Sequence, residues 1–179
     1  PILLGRINLQ NIRKLRNKHA GEEIVLIGGG PSINKHDLGM LANKTTIACN
    51  AFHLKMNQLS WEPTYYVVED PFPAKENSEE INLVKSIKLF PYEFRKFLKR
   101  TGDSDVYVNF RRSYGRWNNH DWPRFNEKDN LDFYWGGTVM FFSIQLAVLL
   151  GCSKIYLIGV DLSYKIPSGT LKSGTVLTS

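Results

Sequence analysis

A doubly wound, mostly parallel α/β sheet with helices on both faces, Rossmann-like in organisation, is predicted by three features of this 179-residue chain. Apolar strand-like runs alternate with helical stretches from Ile24 to Ile158. The first run, residues 24–27, stops abruptly in Gly28-Gly29-Gly30-Pro31-Ser32. Polar or glycine residues also follow other runs, at Asn50, at Asp70 and from Gly159 to Asp161. A sheet of this kind binds ligands outside the carboxyl ends of its strands, so these residues should share one edge.

The elements follow in order. Residues 1–21 read as a helix with Leu4, Ile7, Ile12 and Leu15 on one side and basic residues opposite, ended by Gly21. Ile24, Val25, Leu26 and Ile27 suit a strand covered on both faces. Gly28, Gly29 and Gly30 lack the Cβ atoms that would keep a phosphate from the main chain. Pro31 suits a first helical turn that Ser32 could cap, and a helix N-terminus after such a turn favours an anion. A P-loop would close with Gly-Lys-Ser/Thr, and the dinucleotide fingerprint would place glycine where Ile33 stands; the chain has neither. A tight turn that binds nothing is the plain alternative.

Residues 33–41 should form a short helix and 45–49 the second strand, which ends in Asn50 rather than the acidic residue of a nicotinamide-binding sheet. Asn50 carries both a donor and an acceptor, which suits a base edge or ribose. A third strand, 64–69, is broken by Pro71. A polar helix at 75–85, a strand at 87–90, a basic helix at 92–100 and a strand at 105–109 come next. Residues 111–130 show neither hydrophobic period and read as a long loop, a candidate lid or binding segment. Its guanidinium and aromatic groups could stack a sugar or base and pair with phosphate, which makes Arg111, Arg112 and Trp117 candidates for holding an acceptor, with a partly ordered surface excursion as the equal alternative. Gly136-Gly137-Thr138 opens an apolar, interior helix at 139–150, before a strand at 154–158 and Gly159-Val160-Asp161. The chain reads as one nucleotide-binding domain, 1–179, with an incomplete C-terminal lid from about residue 165.

Composition narrows the function classes. Hydrophobic residues make up 42% and charged residues 22%, ordinary globular values, and no apolar run reaches the ~20 residues of a membrane span. No secretory signal pattern opens the sequence, so a cytoplasmic protein is expected. Cys49 and Cys152 lie in or beside predicted core strands and read as packing residues. The four histidines lack metal-ligand spacing. A net charge of +6, concentrated in residues 6–18 and 95–124, favours an anionic partner, although the first cluster reads first as a solvated helix face and only second as a binding surface.

The GGGPS turn, Asn50, Glu69-Asp70-Pro71 and the run LGCSKIYLIGVD at 150–161 resemble the bacterial sialyltransferases of glycosyltransferase family 42. They resemble equally the related superfamily of flagellin-modifying Maf glycosyltransferases and 6-hydroxymethylpterin diphosphokinase MptE-like proteins. The likeness runs from about residue 24 to 164. It implies a nucleotide site built from Gly28, Gly29, Gly30, Pro31, Ser32, Asn50, Asp70, Thr138, Gly159, Asp161, Ser163 and Tyr164. In the sialyltransferase branch the turn carries asparagine where Gly29 stands, and Asn-Pro where this chain has Asp70-Pro71. The arginine ahead of that branch's late helix has no match near Gly136. Its histidine base follows the lid, which implies a general base after Ser179, with His120 only an outside candidate.

Asp70 changes the chemistry expected. A carboxylate beside a nucleotide phosphate repels it by a few kcal/mol at an effective dielectric of ~20, unless water screens it, a cation lies between or it binds a sugar hydroxyl instead. Asp70 is therefore the candidate metal ligand and Mg²⁺ the one cofactor admitted, with capping of a neighbouring turn as the structural alternative. The function implied is transfer of a sugar, a CMP-linked nonulosonic acid, from a nucleotide-sugar donor to a glycan or glycoprotein acceptor. A pterin diphosphokinase using ATP and Mg²⁺ and a non-enzymatic anion-binding module are the alternatives. No nucleic-acid partner is expected, whereas peripheral contact with the inner face of the membrane and homo-oligomerisation stay open.

Overall fold

The structure, a computed structural model, describes residues 2–112, 120, 122–125 and 131–161, with side chains from residue 9 onward. Trp117, Ser163, Tyr164 and the expected lid from about 165 lie outside the described residues. Seven strands make one sheet: β1 (Glu23–Ile27), β2 (Thr46–Cys49), β3 (Tyr65–Val67), β4 (Ile87–Pro91), β5 (Val106–Arg111), β6 (Asp132–Tyr134) and β7 (Lys154–Ile158). Their order is β6-β5-β4-β3-β2-β1-β7, and every neighbouring pair is parallel.

The chain thus steps outward from β1 to β6 and returns through α5 (Val139–Leu149) to set β7 on the other side of β1. Right-handed crossovers require the outward and return connections to lie on opposite faces. They do. The helix α1 (Ile2–Leu15) and α5 share one face, packing Ile12, Leu15, Phe142 and Leu146 on Leu26, Ile47, Cys49 and Val67. The other face carries α2 (His53–Met56), α3 (Pro71–Glu76) and α4 (Ser78–Leu83), with Phe52, Ala74 and Ile81 packed on Ile27, Ala48, Tyr66 and Phe90. The expected doubly wound sheet is present, wholly parallel among the described residues.

Strands buried on both faces must satisfy any polar atom they carry. Tyr65 and Tyr66 are fully buried and point to opposite faces, and each hydroxyl has a partner: His19 Nε2 at 2.9 Å for Tyr65, the Asn50 carbonyl for Tyr66. Burial pushes both phenols well above their ordinary range. Cys49, donating to the Ile27 carbonyl at 3.3 Å, is a buried thiol pushed up to about 12, a packing residue as expected.

Several elements depart from their predicted limits. The helix expected at 33–41 is two 3-10 turns, Pro31–Lys35 and Leu38–Leu41, because the Asp37 carboxylate accepts from the Gly39 N–H and starts a new turn. Pro71 opens α3 earlier than expected, and Asn77 separates it from α4. The basic helix at 92–100 shrinks to a 3-10 turn, Tyr92–Lys96. Helix α1 ends at Leu15, and residues 17–21 instead lie along the end of α5, with the N–H groups of Asn17, His19 and Gly21 donating to the carbonyls of Leu149, Leu150 and Gly151. Strand β6 went unforeseen, since three residues are too few to show a period. No described helix is long and apolar enough to cross a membrane.

One buried ion pair ties β4 to the start of β5. Lys88 Nζ lies 3.2 Å from Asp105 Oδ2, both side chains being no more than 2% exposed. Such a pair is tolerated only when the remaining polar atoms are satisfied. Lys88 Nζ also donates to the Val84 carbonyl (2.6 Å) and Thr101 Oγ1 (2.7 Å), while the Asp105 carboxylate accepts from the backbone N–H groups of Lys88, Thr101 and Gly102. Asp105→Ala strands a buried ammonium and should cost about 3–5 kcal/mol. Urea unfolding should show that loss as a lower midpoint at unchanged slope.

Candidate functional site

Parallel pairing places every strand's carboxyl end at the same edge, and the reversal of strand order puts the switch point between β1 and β7. The turn after β1 faces the turn after β7 there. The main chain of Gly159 passes so close that a Cβ on Gly28 would stand 2.4 Å from its carbonyl oxygen. A Cβ on Gly30 would lie 2.2 Å from Asp161 Oδ2 and 2.7 Å from the same carbonyl. Those two glycines are required by the neighbouring strand. Gly29 differs, with nothing within 4 Å of its missing Cβ.

The amides of the turn are mostly engaged. Gly28 donates to the Ile158 carbonyl (2.9 Å), Gly30 to the Gly159 carbonyl (2.8 Å) and Ile33 to the Gly30 carbonyl (3.1 Å). Ser32 N–H donates to Asp161 Oδ2 at 2.9 Å. The cap residue of the 3-10 turn is Gly30, without a side-chain bond, so Asp161 does the work expected of the Ser32 hydroxyl. The Ser32 amide first, then its hydroxyl, hold the Asp161 carboxyl below its usual range, with Lys35 adding to the effect. Of the three glycine amides, that of Gly29 has no partner among the described residues.

Asn50 leaves β2 with φ of 44°, a left-handed conformation that asparagine tolerates better than most residues. Its side chain bridges strand ends, Oδ1 accepting from the Glu69 N–H at 3.2 Å, while His53 Nδ1 lies 3.1 Å from its carbonyl oxygen. With Oδ1 committed, the amide nitrogen is what Asn50 offers to a ligand: a donor. Asp70 caps α3 through Oδ1, which accepts from the Phe72 N–H at 3.0 Å. Thr138 caps α5, accepting from the Met140 N–H at 3.3 Å. No group of three or more His, Cys, Asp or Glu residues able to hold a metal ion occurs among the described residues. Asp70 would thus supply a single carboxylate, a set that suits Mg²⁺ only with phosphate and water completing the shell.

Arg111 and Arg112, read from the sequence as the start of an acceptor-binding loop, have other partners. Arg111 is the last residue of β5, and its Nε lies 2.8 Å from Asp132 Oδ2 on β6. Arg112 donates to Glu69 Oε1 at 2.6 Å, to the Glu69 carbonyl at 2.5 Å and to Glu93 Oε1 at 2.8 Å, with its guanidinium 4.7 Å from the Phe110 ring centre. A planar fork satisfies such divergent acceptors where an ammonium would not. His120 is exposed.

Glu69, which enters the sequence analysis only as part of the Glu69-Asp70-Pro71 run and with no role of its own, is central to this edge. It is 7% exposed and meets Asn50 through its amide, Arg112 through its carboxylate and carbonyl, and the Trp135 side chain through its carboxylate. It thereby joins the carboxyl ends of β2, β3, β5 and β6, and Arg112 extends the tie to Glu93 after β4. Its only sequence signal is a carboxylate directly following the buried run 65–68. Desolvation raises its pKa above the ordinary 4.5, against the opposing pull of Arg112. A groove of about 480 Å³ lined by Met56, Leu59, Trp61, Glu62, Lys85 and Ser86 lies at the opposite edge, remote from these residues.

Two outcomes are expected from these contacts. Gly30→Ala should lower the melting midpoint, at a cost of about 1–3 kcal/mol for forcing a methyl group into filled space, whereas Gly29→Ala should leave it nearly unchanged. Glu69 binds its proton more tightly folded than unfolded, so its contribution to stability falls as pH rises from 4.5 through the raised value. Glu69→Gln removes that titration while keeping an acceptor for Arg112. Urea midpoints across this range should therefore shift in favour of the glutamine variant, relative to wild type, as pH increases.

Comparison with known proteins adds the family. No curated protein matches the sequence. Among solved structures, the chain is similar to the Maf glycosyltransferase of Magnetospirillum magneticum AMB-1, with 16% identity and a TM-score of 0.55 over 96% of this chain. It spans 30% of that protein's length, so the likeness concerns the fold. The model of the 6-hydroxymethylpterin diphosphokinase MptE-like family matches residues 4–167, a span that takes in the β1 turn, Asn50, Glu69, Asp70, Arg112 and the β7 turn. This chain belongs to the 6-hydroxymethylpterin diphosphokinase MptE-like family.

Proposed function

We propose that the chain forms the nucleotide-binding part of a glycosyltransferase, taking a nonulosonic acid from its CMP-linked donor and passing it to a glycan or glycoprotein. The observation that carries this reading is the gathering of the β1 turn, Asn50, Asp70 and Asp161 on one carboxyl edge around the β1/β7 switch point. Such crevices are where open α/β sheets take nucleotides. Donors for the nucleotide come from the Gly29 amide and the Asn50 side-chain nitrogen, with Thr138, Ser163 and Tyr164 completing the proposed set. Displacement at the anomeric carbon needs a base for the acceptor hydroxyl and stabilisation of the departing phosphate. The fold likeness to a Maf glycosyltransferase is in keeping with this chemistry.

A second reading rests on the family match: diphosphate transfer from ATP to a pterin alcohol, with Mg²⁺ held partly by Asp70. Asp70 favours it, since only Oδ1 serves as a helix cap. The two readings part on ligand-linked stability. Under the first, CMP at about a hundred times its Kd should raise the melting midpoint by roughly 5–10 °C with or without Mg²⁺. Gly29→Val should abolish the shift while leaving the ligand-free midpoint near that of wild type. ATP stabilising only with Mg²⁺, while CMP has no effect, would replace the glycosyltransferase reading with the diphosphokinase one.

A further inference from the structure

The charge on the two faces of the sheet differs: one-signed along the N-terminal segment, mixed on the α2/α3/α4 side. Residues 1–21 contain five Lys or Arg and no Asp or Glu. In this segment Ile12 and Leu15 turn inward to the core, which leaves Arg13, Lys14 and Lys18 exposed without an ion-pair partner among the described residues. The hydrogen bonds from residues 17–21 to the end of α5 hold this cationic stretch beside Val148, which is 48% exposed, and Leu9 on α1 is 47% exposed. Carboxylates on this side are few: Glu22 is bound to His19 (2.8 Å) and Thr45 (3.1 Å), and Asp103 is exposed near Asn11, which donates to its carbonyl. On the opposite face the exposed charges are of both signs, Glu76, Glu79 and Glu80 lying among Lys75, Lys85, Arg95 and Lys96.

We infer that the α1/α5 face is a docking surface for an anionic lipid bilayer. Unpaired cations interspersed with exposed aliphatic groups match a headgroup layer, where charges meet phosphates and short apolar side chains enter the boundary. The α3/α4 side, where carboxylates offset the lysines and arginine, offers an anionic surface no comparable one-signed patch. Nucleic acid fits less well: a single-strand binder presents aromatic rings for stacking, and residues 1–21 contain no Phe, Tyr or Trp.

The test is co-sedimentation of the chain with phosphatidylcholine vesicles, with and without about 30% phosphatidylserine, at ~0.15 M salt. The chain should partition onto the anionic vesicles only. A basic side chain near such a surface contributes about fivefold, so the triple variant R13Q/K14Q/K18Q should bind roughly a hundredfold less. The control K75Q/K85Q/K96Q removes the same charge elsewhere and should change binding less than about threefold. Melting midpoints matching wild type establish that both variants are folded. Equal loss in the two triples would mean unoriented net-charge attraction and overturn the proposal. So would equal binding to pure phosphatidylcholine, absence of vesicle binding, or binding to a homopolymeric RNA in place of vesicles.

Discussion

The close approach of β7 to the turn after β1 is the constraint on which the carboxyl edge depends. The carbonyl oxygen of Gly159 occupies the space that side chains on residues 28 and 30 would need, and Asp161 supplies the anion that this turn would otherwise seek from solution. Two glycines and one carboxylate are thus explained by the fold itself. What is left for a ligand is smaller and more specific: the open position at Gly29 and the donor that Asn50 presents because its acceptor is already taken.

Rigidity of the edge comes from a different source. Buried Glu69 and half-buried Arg112 form a charge pair whose other hydrogen-bonding groups are met by Asn50, Glu93 and Trp135. Full satisfaction is what lets ionic groups persist at low exposure, and the aromatic faces of Phe110 and Phe94 flank the guanidinium. Adjacent parallel strands joined only by backbone bonds can splay at their ends. A shared side-chain hub fixes their spacing, and with it the relative positions of Asn50 and Asp70.

Much of this was legible in the residues. The apolar runs gave β1, β2 and β3 with nearly their observed limits, because strands buried on both faces need continuous apolar sequence, and gave β7 too, although its side chains are largely exposed among the described residues. The apolar residues at 139–150 gave α5 for the same reason. The candidate edge was legible too, since polar residues after strand runs mark it without knowledge of strand order. Three-dimensional partnership was not. Nothing local distinguishes an arginine that meets a ligand from Arg112, whose partners lie 43 and 19 positions away. Asp161 likewise finds its amide 129 residues earlier, a distance at which no pattern speaks.

That last separation governs when the edge can come into being. A chain leaving the ribosome completes the pairing of β1 through β5 with short connections, but the partner of the β1 turn is among the final described residues. Contacts so far apart in sequence carry a large loop-closure cost and form late. Until β7 arrives, the flank of β1 is an open ladder next to three glycines, so nascent or truncated chains expose a sticky strand margin where the finished protein closes the β1/β7 turn pair.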